Sequence, residues 1–228
     1  MKIIIQHAPS SDLFKQQLRD SLELETENSR AKNFAKNTNI YTCGDRSEGV
    51  YFIESGQVKL LMLSPAGKEC LLTIHTAGDV FGEMCLSGFN SRQETATAME
   101  KTVVKQIPCS KFFSRLSDYG LLEGFVKYLA VRISDQQDVI SNLVTIDSEQ
   151  RLGKTLLYLA RKLGEQDPRS IIIRQRITHE ELSGMVGTTR SRITQFMRRF
   201  RDLNLIEISN HRFIIVKEKN LTAYLGQL

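Results

Sequence analysis

From about Asn39 to Ile107, apolar residues come in short runs separated by glycine-bearing turns. Val50-Tyr51-Phe52-Ile53, Val58-Lys59-Leu60-Leu61-Met62, Leu71-Leu72-Thr73-Ile74 and Val103-Val104-Lys105-Gln106-Ile107 are rich in β-branched and apolar side chains, so each is expected to be a strand. The turns fall at Cys43-Gly44-Asp45, Glu54-Ser55-Gly56, Ser64-Pro65-Ala66-Gly67-Lys68 and Ala77-Gly78-Asp79, with Gly56, Gly67 and Gly78 recurring at intervals of 11. That spacing suits consecutive strand-and-turn units of a β-barrel or jelly roll, with an open sheet covered by helices as the alternative. Residues 1 to about 38 read as a polar, irregular lead-in.

The pattern then changes period. From Phe112 to about Leu143 there is no Gly or Pro after Gly124, and Val126, Leu129, Ile133, Gln136, Ile140 and Leu143 follow steps of 3, 4, 3, 4 and 3. A long helix with this seam could pack back on the barrel, but alternating steps of three and four suit a partner helix better, so a homodimer is expected. Gln136 puts an amide at a seam position, where it could fix register or face a ligand held near the seam.

A further helix is expected from near Asp147, with Leu152, Leu156, Leu159, Ala160 and Leu163 on its apolar face. A polar loop from Gly164 to Ser170 with Pro168 follows, then a short strand at Ile171-Ile172-Ile173. Thr178 with Glu181 three positions later is a capping box, which starts a helix whose apolar face is Leu182, Met185 and Val186. Gly187 permits a tight turn into a second helix from about Thr189 to Leu203, with Ile193, Phe196, Met197, Phe200 and Leu203 inward. Leu205 to Ile208 and Arg212 to Val216, around a Ser209-Asn210-His211 turn, read as a hairpin. Helix, glycine turn, helix and hairpin make a winged helix-turn-helix. The division expected is thus an α+β chain of three parts: a β jelly-roll barrel with its lead-in (1–111), a long dimerisation helix (112–146) and a winged helix-turn-helix (147–228).

Composition agrees with this and narrows the class. The 228 residues are 41% hydrophobic and 25% charged, close to the globular average and unlike a disordered chain. Apolar runs fall far short of the roughly 20 residues of a spanning helix. The start Met1-Lys2-Ile3-Ile4-Ile5-Gln6-His7 turns polar too early for a signal peptide, so a cytoplasmic protein without membrane contact is expected. Cys43, Cys70, Cys85 and Cys109 show no metal-ligand spacing, and no metal site is assigned. In a reducing cytosol the four read as small, half-buried hydrophobes rather than disulfides, with a redox sensor as the second reading.

Charge is uneven. Residues 1–150 carry 16 Lys and Arg against 19 Asp and Glu, a net −3, whereas residues 151–228 carry 15 against 7, a net +8. A basic terminal third suggests a polyanion-binding module. A helix that reads the major groove presents polar side chains from its N-terminal end. Thr188 and Thr189 stand at that end; Arg190 can donate two hydrogen bonds to guanine O6 and N7, with Ser191 and Gln195 beside it. Arg192, Arg198, Arg199 and Arg201 suit phosphate contacts, which position without reading sequence.

Barrel, seam helix and winged helix-turn-helix in this order resemble the cyclic AMP receptor protein and FNR family of bacterial transcription regulators. The matching residues are Gly44-Asp45, Val50 to Lys59, Gly67-Lys68-Glu69, Ala77 to Glu83, Arg92 and Ile177 to Ile206. The resemblance implies a homodimer whose barrel senses a signal, whose long helix relays it, and whose recognition helices read a near-palindromic operator. RNA polymerase is implied as a further partner. In nucleotide-binding members a Phe-Gly-Glu segment holds ribose and phosphate, and an Arg-Ser pair neutralises the cyclic phosphate. Phe81-Gly82-Glu83 and Arg92 fall at those positions, so Gly82, Glu83, Met84, Arg92 and Gln93 are candidate effector residues, with Gln136 and Gln137 at the adenine-contacting positions of the long helix.

The departures weigh against cyclic AMP. Gln93 replaces the serine, Glu94 brings a carboxylate close to the phosphate position, and Gln136-Gln137 replaces a Thr-Ser pair. The alternative at this site is an internal Glu83–Arg92 ion pair with no ligand. An iron–sulfur cluster of the FNR type needs N-terminal cysteines, and none precedes Cys43; haem held by Cys70, His75 or Cys85 lacks the motif of the family's carbon monoxide sensors. In the DNA-reading helix Ser191 stands for a glutamate and Gln195 for an arginine, which implies a different half-site. A ligand-independent architectural DNA binder remains as the second function. A barrel enzyme is set aside, because residues 1–150 hold only His7 and His75 as histidine ligands.

Overall fold

The computed structural model describes residues 9–23, 31–64 and 69–227, which form two compact units: the described residues up to 64 with 72–137, and residues 69–71 with 138–227. The Ser64–Lys68 turn expected around Gly67, the Gly67-Lys68 match and the N-terminal stretch with His7 lie wholly or largely outside the described residues.

The first unit begins with helix α1 (Pro9–Glu23), where an irregular lead-in was expected. Phe14, Leu18 and Leu22, four apart, lie on one face and are buried. Lys15 fixes the same helix through an ion pair with the buried Asp79 at 2.8 Å. Among the described residues eight strands follow, β5 beginning in the three residues grouped with the second unit: β1 (Ala31–Phe34), β2 (Asn39–Tyr41), β3 (Gly49–Ser55), β4 (Gln57–Leu63), β5 (Glu69–Thr76), β6 (Val80–Phe81), β7 (Thr95–Ala98) and β8 (Thr102–Pro108). A 3₁₀ segment, Glu83–Ser87, lies between β6 and β7. The strands form two four-stranded sheets in the orders β1-β8-β3-β6 and β2-β7-β4-β5, the double-sheet arrangement of a jelly roll.

Strand β3 explains why Val50 to Ile53 is apolar without alternation. Val50 and Phe52 pack outward against helices, with Phe14, Leu18, Phe112, Leu116 and Phe125; Tyr51 and Ile53 pack inward with Tyr41, Val58, Leu60, Phe81 and Val104. A strand covered on both faces needs apolar residues at every position.

The stretch expected to be one helix from Phe112 is two, α2 (Cys109–Asp118) and α3 (Leu122–Thr145). The break falls at Tyr119, Gly120 and Leu121, where Gly120 takes φ +64° and leaves the right-handed helix. Leu121 then enters the core beside Leu116 and Phe125. Among the described residues no helix is long and apolar enough to cross a membrane.

The second unit contains α4 (Ser148–Leu163), β9 (Gly164–Asp167), β10 (Ser170–Ile173), α5 (His179–Val186), α6 (Arg190–Asp202), β11 (Ile206–Ile208), β12 (Ile214–Val216) and α7 (Glu218–Leu225). The Gly164–Ser170 segment expected as a loop is mostly strand. Its residues pair with β10 from Ser170↔Asp167 to Ile173↔Gly164, extending the expected hairpin into a sheet of order β11-β12-β10-β9. Backbone pairing, rather than side-chain character, makes a strand of Gly-Glu-Gln-Asp. The core joins Leu152, Leu156 and Leu159 of α4 to Ile173, Leu182, Ile193, Phe200 and Val216, all fully buried. Leu203, expected inward, is 46% exposed, because it is the residue that caps α6 rather than one of its turns.

Candidate functional site

The sharpest geometry is in the second unit. The Thr178 hydroxyl accepts from the Glu181 N–H at 3.1 Å while the Glu181 carboxylate accepts from the Thr178 N–H at 2.9 Å, completing the capping box. At the other end of α5 Gly187 sits at φ +67° and its N–H reaches the Ser183 carbonyl at 3.0 Å. Only a residue without a Cβ takes this left-handed cap at no cost. Thr189 caps α6 by accepting from the Arg192 N–H at 3.3 Å. Ile193, Met197 and Phe200 bury one face of α6; Thr189, Arg190, Ser191, Arg192, Gln195, Arg198 and Arg199 stand exposed on the rest, with Thr188 half-buried in the turn.

Two details were not legible beforehand. His179 Nδ1 lies 2.9 Å from the Thr194 hydroxyl, which donates to the Arg190 carbonyl at 3.0 Å, so the start of α5 is tied to the first turn of α6. Burial, and then the Arg190 charge, hold the His179 imidazolium below its ordinary range. Arg199 is not a free cation: it bonds the Glu149 carboxylate of α4 at 3.1 Å, which also accepts from the Tyr224 hydroxyl at 2.7 Å. Arg199 therefore fixes α6 to its own unit.

In the first unit Arg92 is 3% exposed. Its two terminal nitrogens donate to the carbonyls of Gly82 at 2.8 Å and Gly49 at 2.6 Å, and its guanidinium lies 4.3 Å from the Tyr41 ring centre. Gly82, at φ +75°, makes room for this, since a Cβ there would stand 2.7 Å from an Arg92 nitrogen. The expected alternative of a Glu83–Arg92 ion pair is not what forms. Glu83 pairs instead with Arg132 of α3 at 2.9 Å, both largely buried. Glu94, counted against cyclic AMP for its charge near the phosphate position, is buried and accepts from the Tyr41 hydroxyl at 2.7 Å; burial first, and then Glu94, push the Tyr41 phenol far above its usual range. Gln93 is exposed in the bend before β7, where its amide donates to the Ser91 carbonyl at 3.1 Å. Met84 is exposed, as are Gln136 and Gln137, the first of them one turn beyond Arg132 on α3.

Among the described residues, no group of three or more His, Cys, Asp or Glu is placed to hold a metal ion. Of the three residues considered for haem, Cys85 is bonded to Cys109, Cys70 is exposed, and His75 is buried against Phe81 and Asp79. The Cys85–Cys109 disulfide corrects the expectation of four free thiols; their Cα atoms lie 6.5 Å apart, because the 3₁₀ segment and the start of α2 meet. Cys43 and Cys70 are free and exposed rather than half-buried.

Two family models match the chain along its length: the cyclic nucleotide-binding domain at residues 31–119 and the Crp-like helix-turn-helix domain at residues 150–224. The chain belongs to the CRP/FNR family of transcription regulators. It is 25% identical over 190 residues to a CRP-like cAMP-activated global transcriptional regulator of Mycobacterium tuberculosis, covering 83% of this chain and 85% of that one. It resembles the solved structure of a CRP-family transcriptional regulator from Thermus thermophilus, at 26% identity and TM-score 0.72 over 86% of this chain and 96% of that. The c-di-GMP responsive global regulator CLP of Xanthomonas campestris shares the fold, at TM-score 0.74 and 19% identity, covering 87% and 98%.

The CRP/FNR seam on α3 is largely unburied within the chain. Val126, Ile133, Ile140 and Leu143 are 57%, 54%, 62% and 46% exposed, and Gln136 is exposed too; Leu129 alone leans on the core. Leu143 also lies 3.0 Å from where a Gly187 side chain would begin, so the seam's last residue touches the turn before α6.

Proposed function

We propose that the protein is a homodimeric, sequence-specific DNA-binding transcription regulator, whose β-rich unit responds to a small molecule and whose α3 carries the response toward α6. The observation that carries this reading is the exposed polar face of α6, from Thr189 to Arg198, on a helix capped at its start and buried along its other side. Arg190 is the candidate guanine reader, with Ser191 and Gln195 as its neighbours; Arg192 and Arg198 contact phosphate. Arg199 stays a phosphate candidate only if it leaves Glu149. The exposed apolar seam of α3 supports the dimer, since a monomer would leave four large apolar side chains on one helix face in water. RNA polymerase is the proposed further partner, and the cytoplasm, where bacterial DNA lies, the working compartment.

The effector reading is narrower. Two buried polar atoms, Arg92 Nε and Glu83 Oε2, have no hydrogen-bond partner, one a donor and the other an acceptor. A small molecule bringing a hydroxyl to Glu83 and an anionic oxygen to Arg92 would satisfy both. The buried Glu94 and the outward Gln93 disfavour cyclic AMP itself, and cyclic AMP is expected to leave the thermal unfolding of the protein unchanged. A saturable rise that Glu83→Gln abolishes would reverse that reading.

The decisive test is selection of duplexes from a random-sequence library by the purified chain. The expected product is an inverted repeat with half-site centres about one helical turn apart, bound ~10³-fold or more over random DNA. Equal affinity for every duplex would make the protein an architectural DNA binder.

A further inference from the structure

The proposed function leaves the Cys85–Cys109 disulfide unused, although it lies next to the candidate effector residues. Cys85 sits in the middle of the 3₁₀ segment Glu83–Ser87, none of whose residues is fully buried. The segment runs between Gly82 and Gly88, both left-handed at φ +75° and +87°. Within it the half-buried Cys85 packs against the core that holds Phe52, Phe112 and Phe125. Two side chains hold it: Glu83, through Arg132 of α3, and Cys85, through Cys109. Cys109 opens α2, whose Phe112 ring meets the Phe125 ring of α3 edge-on at 5.2 Å. The cystine thus joins two pieces of chain that each lean on α3.

A regulator that binds DNA works beside the cell's thiol pool, where a cystine persists only under oxidising conditions and is usually a signal rather than a staple. We infer that Cys85 and Cys109 are a thiol–disulfide switch that sets the order of the Gly82–Gly88 segment and, with it, the hold of Glu83 on Arg132. The oxidant is a low-molecular-weight disulfide of the glutathione class. One cysteine thiolate attacks a sulfur of the oxidant, forming a mixed disulfide and expelling one small thiolate. The other thiolate attacks the protein sulfur of that mixed disulfide, forming the Cys85–Cys109 bond and expelling the second. The two protons lost by the cysteines end on the two released thiols, and the two electrons reduce the oxidant. Reduction by two molecules of the small thiol runs the same steps backward.

The test uses the full chain, reduced and then equilibrated in mixtures of reduced and oxidised glutathione. Three quantities are read: linked peptides after alkylation and digestion, amide hydrogen exchange, and affinity for a duplex taken from the library selection. The expected result is loss of two of the four thiols with a Cys85–Cys109 linked peptide. Exchange at residues 83–89 is expected to slow at least tenfold on oxidation, and duplex affinity to change at least tenfold between the two states. The Cys85→Ser/Cys109→Ser double variant is expected to lose both redox effects; should it not fold, the two states of the wild-type chain carry the comparison. A bridge to Cys43 or Cys70 instead, or a Cys85–Cys109 bridge that leaves exchange at 83–89 unchanged, would overturn the switch. The affinity arm rests on the DNA-binding reading; if neither state prefers any duplex that reading fails, while peptide mapping and exchange still decide the switch.

Discussion

Arg92 in the first unit and Arg190 in the second both stand at motif positions where the CRP/FNR resemblance places contact with a nucleotide or DNA, and their surroundings are opposite. Arg92 is 3% exposed, donates to two backbone carbonyls and lies on the Tyr41 ring. Arg190 is exposed at the first turn of a helix whose buried residues all lie elsewhere. A buried arginine with partners holds the fold together, whereas an exposed one on a rigid helix keeps its donors for a ligand. The same residue type at two motif positions is therefore expected to do two kinds of work, Arg92 chiefly through stability with its Nε left for an effector and Arg190 through affinity for DNA.

The largest effect is expected at the buried end. Arg92→Ala removes two charge-assisted hydrogen bonds and the contacts with the Tyr41 and Tyr51 rings, and leaves the Gly82 carbonyl with only the Cys85 N–H at 3.4 Å, at a cost of about 2–4 kcal/mol. Arg92→Lys is expected to recover little, because an ammonium cannot reproduce the planar fork. Thermal unfolding of the protein checks both. An unchanged melting temperature would place Arg92 with the exposed arginines and make it a ligand contact only.

Next comes Arg190→Ala, with stability unchanged and affinity for the selected duplex reduced by about 1–3 kcal/mol, together with relaxed preference at one guanine. Arg198→Ala sharpens the contrast: it is expected to weaken all duplexes alike and to lower the salt slope by about 1. Binding isotherms at several salt concentrations separate the two. Equal loss from Arg190→Ala on specific and random DNA would make it a phosphate contact.

The contrast also explains what the sequence showed. The helix-turn-helix was legible because its signals are local: Thr178 and Glu181 cap one helix, Gly187 ends it, and the inward Ile193, Met197 and Phe200 recur at helical spacing. The central strands were legible for the same reason. Arg92 was not, since its partners are the carbonyls of Gly49 and Gly82, which no side-chain identity announces. Helix α1 was hidden because Phe14, Leu18 and Leu22 are few among polar neighbours, and their stripe gains meaning only against a core built from Phe52, Phe112 and Phe125. The break before α3 was missed, because Gly120 shows its helix-stopping positive φ only in the folded chain. Cys85 and Cys109 lie 24 residues apart, and only the folded barrel brings them together.

A smaller effect is expected at Thr178, where Thr178→Ala removes the hydroxyl that accepts from the Glu181 N–H and so one half of the capping box. The loss is about 1 kcal/mol, read as a lower melting temperature of the DNA-binding unit. Because this threonine acts on the scaffold, affinity for the selected duplex at a temperature well below melting is expected to change far less than with Arg190→Ala. A loss of affinity equal to that of Arg190→Ala would mean that the start of α5 touches DNA.

The smallest effect sits where scaffold and surface meet. His179 bonds Thr194 and feels Arg190, and burial, then that arginine, lower its pKa below the ordinary 6.5. The unfolded chain then binds a proton more readily than the folded one in the window between the lowered value and 6.5. Stability from this group is complete above that window and is lost as pH falls through it. Melting of wild type and His179→Gln between pH 7.5 and 5.5 is the check: the wild-type chain is expected to lose more on acidification, and groups common to both cancel in the difference. A wild-type chain that gains relative to the variant at low pH would show the imidazolium to be stabilised in the folded protein. The Thr194 hydroxyl would then outweigh the Arg190 charge, and the junction of α5 and α6 would tighten, not loosen, in acid.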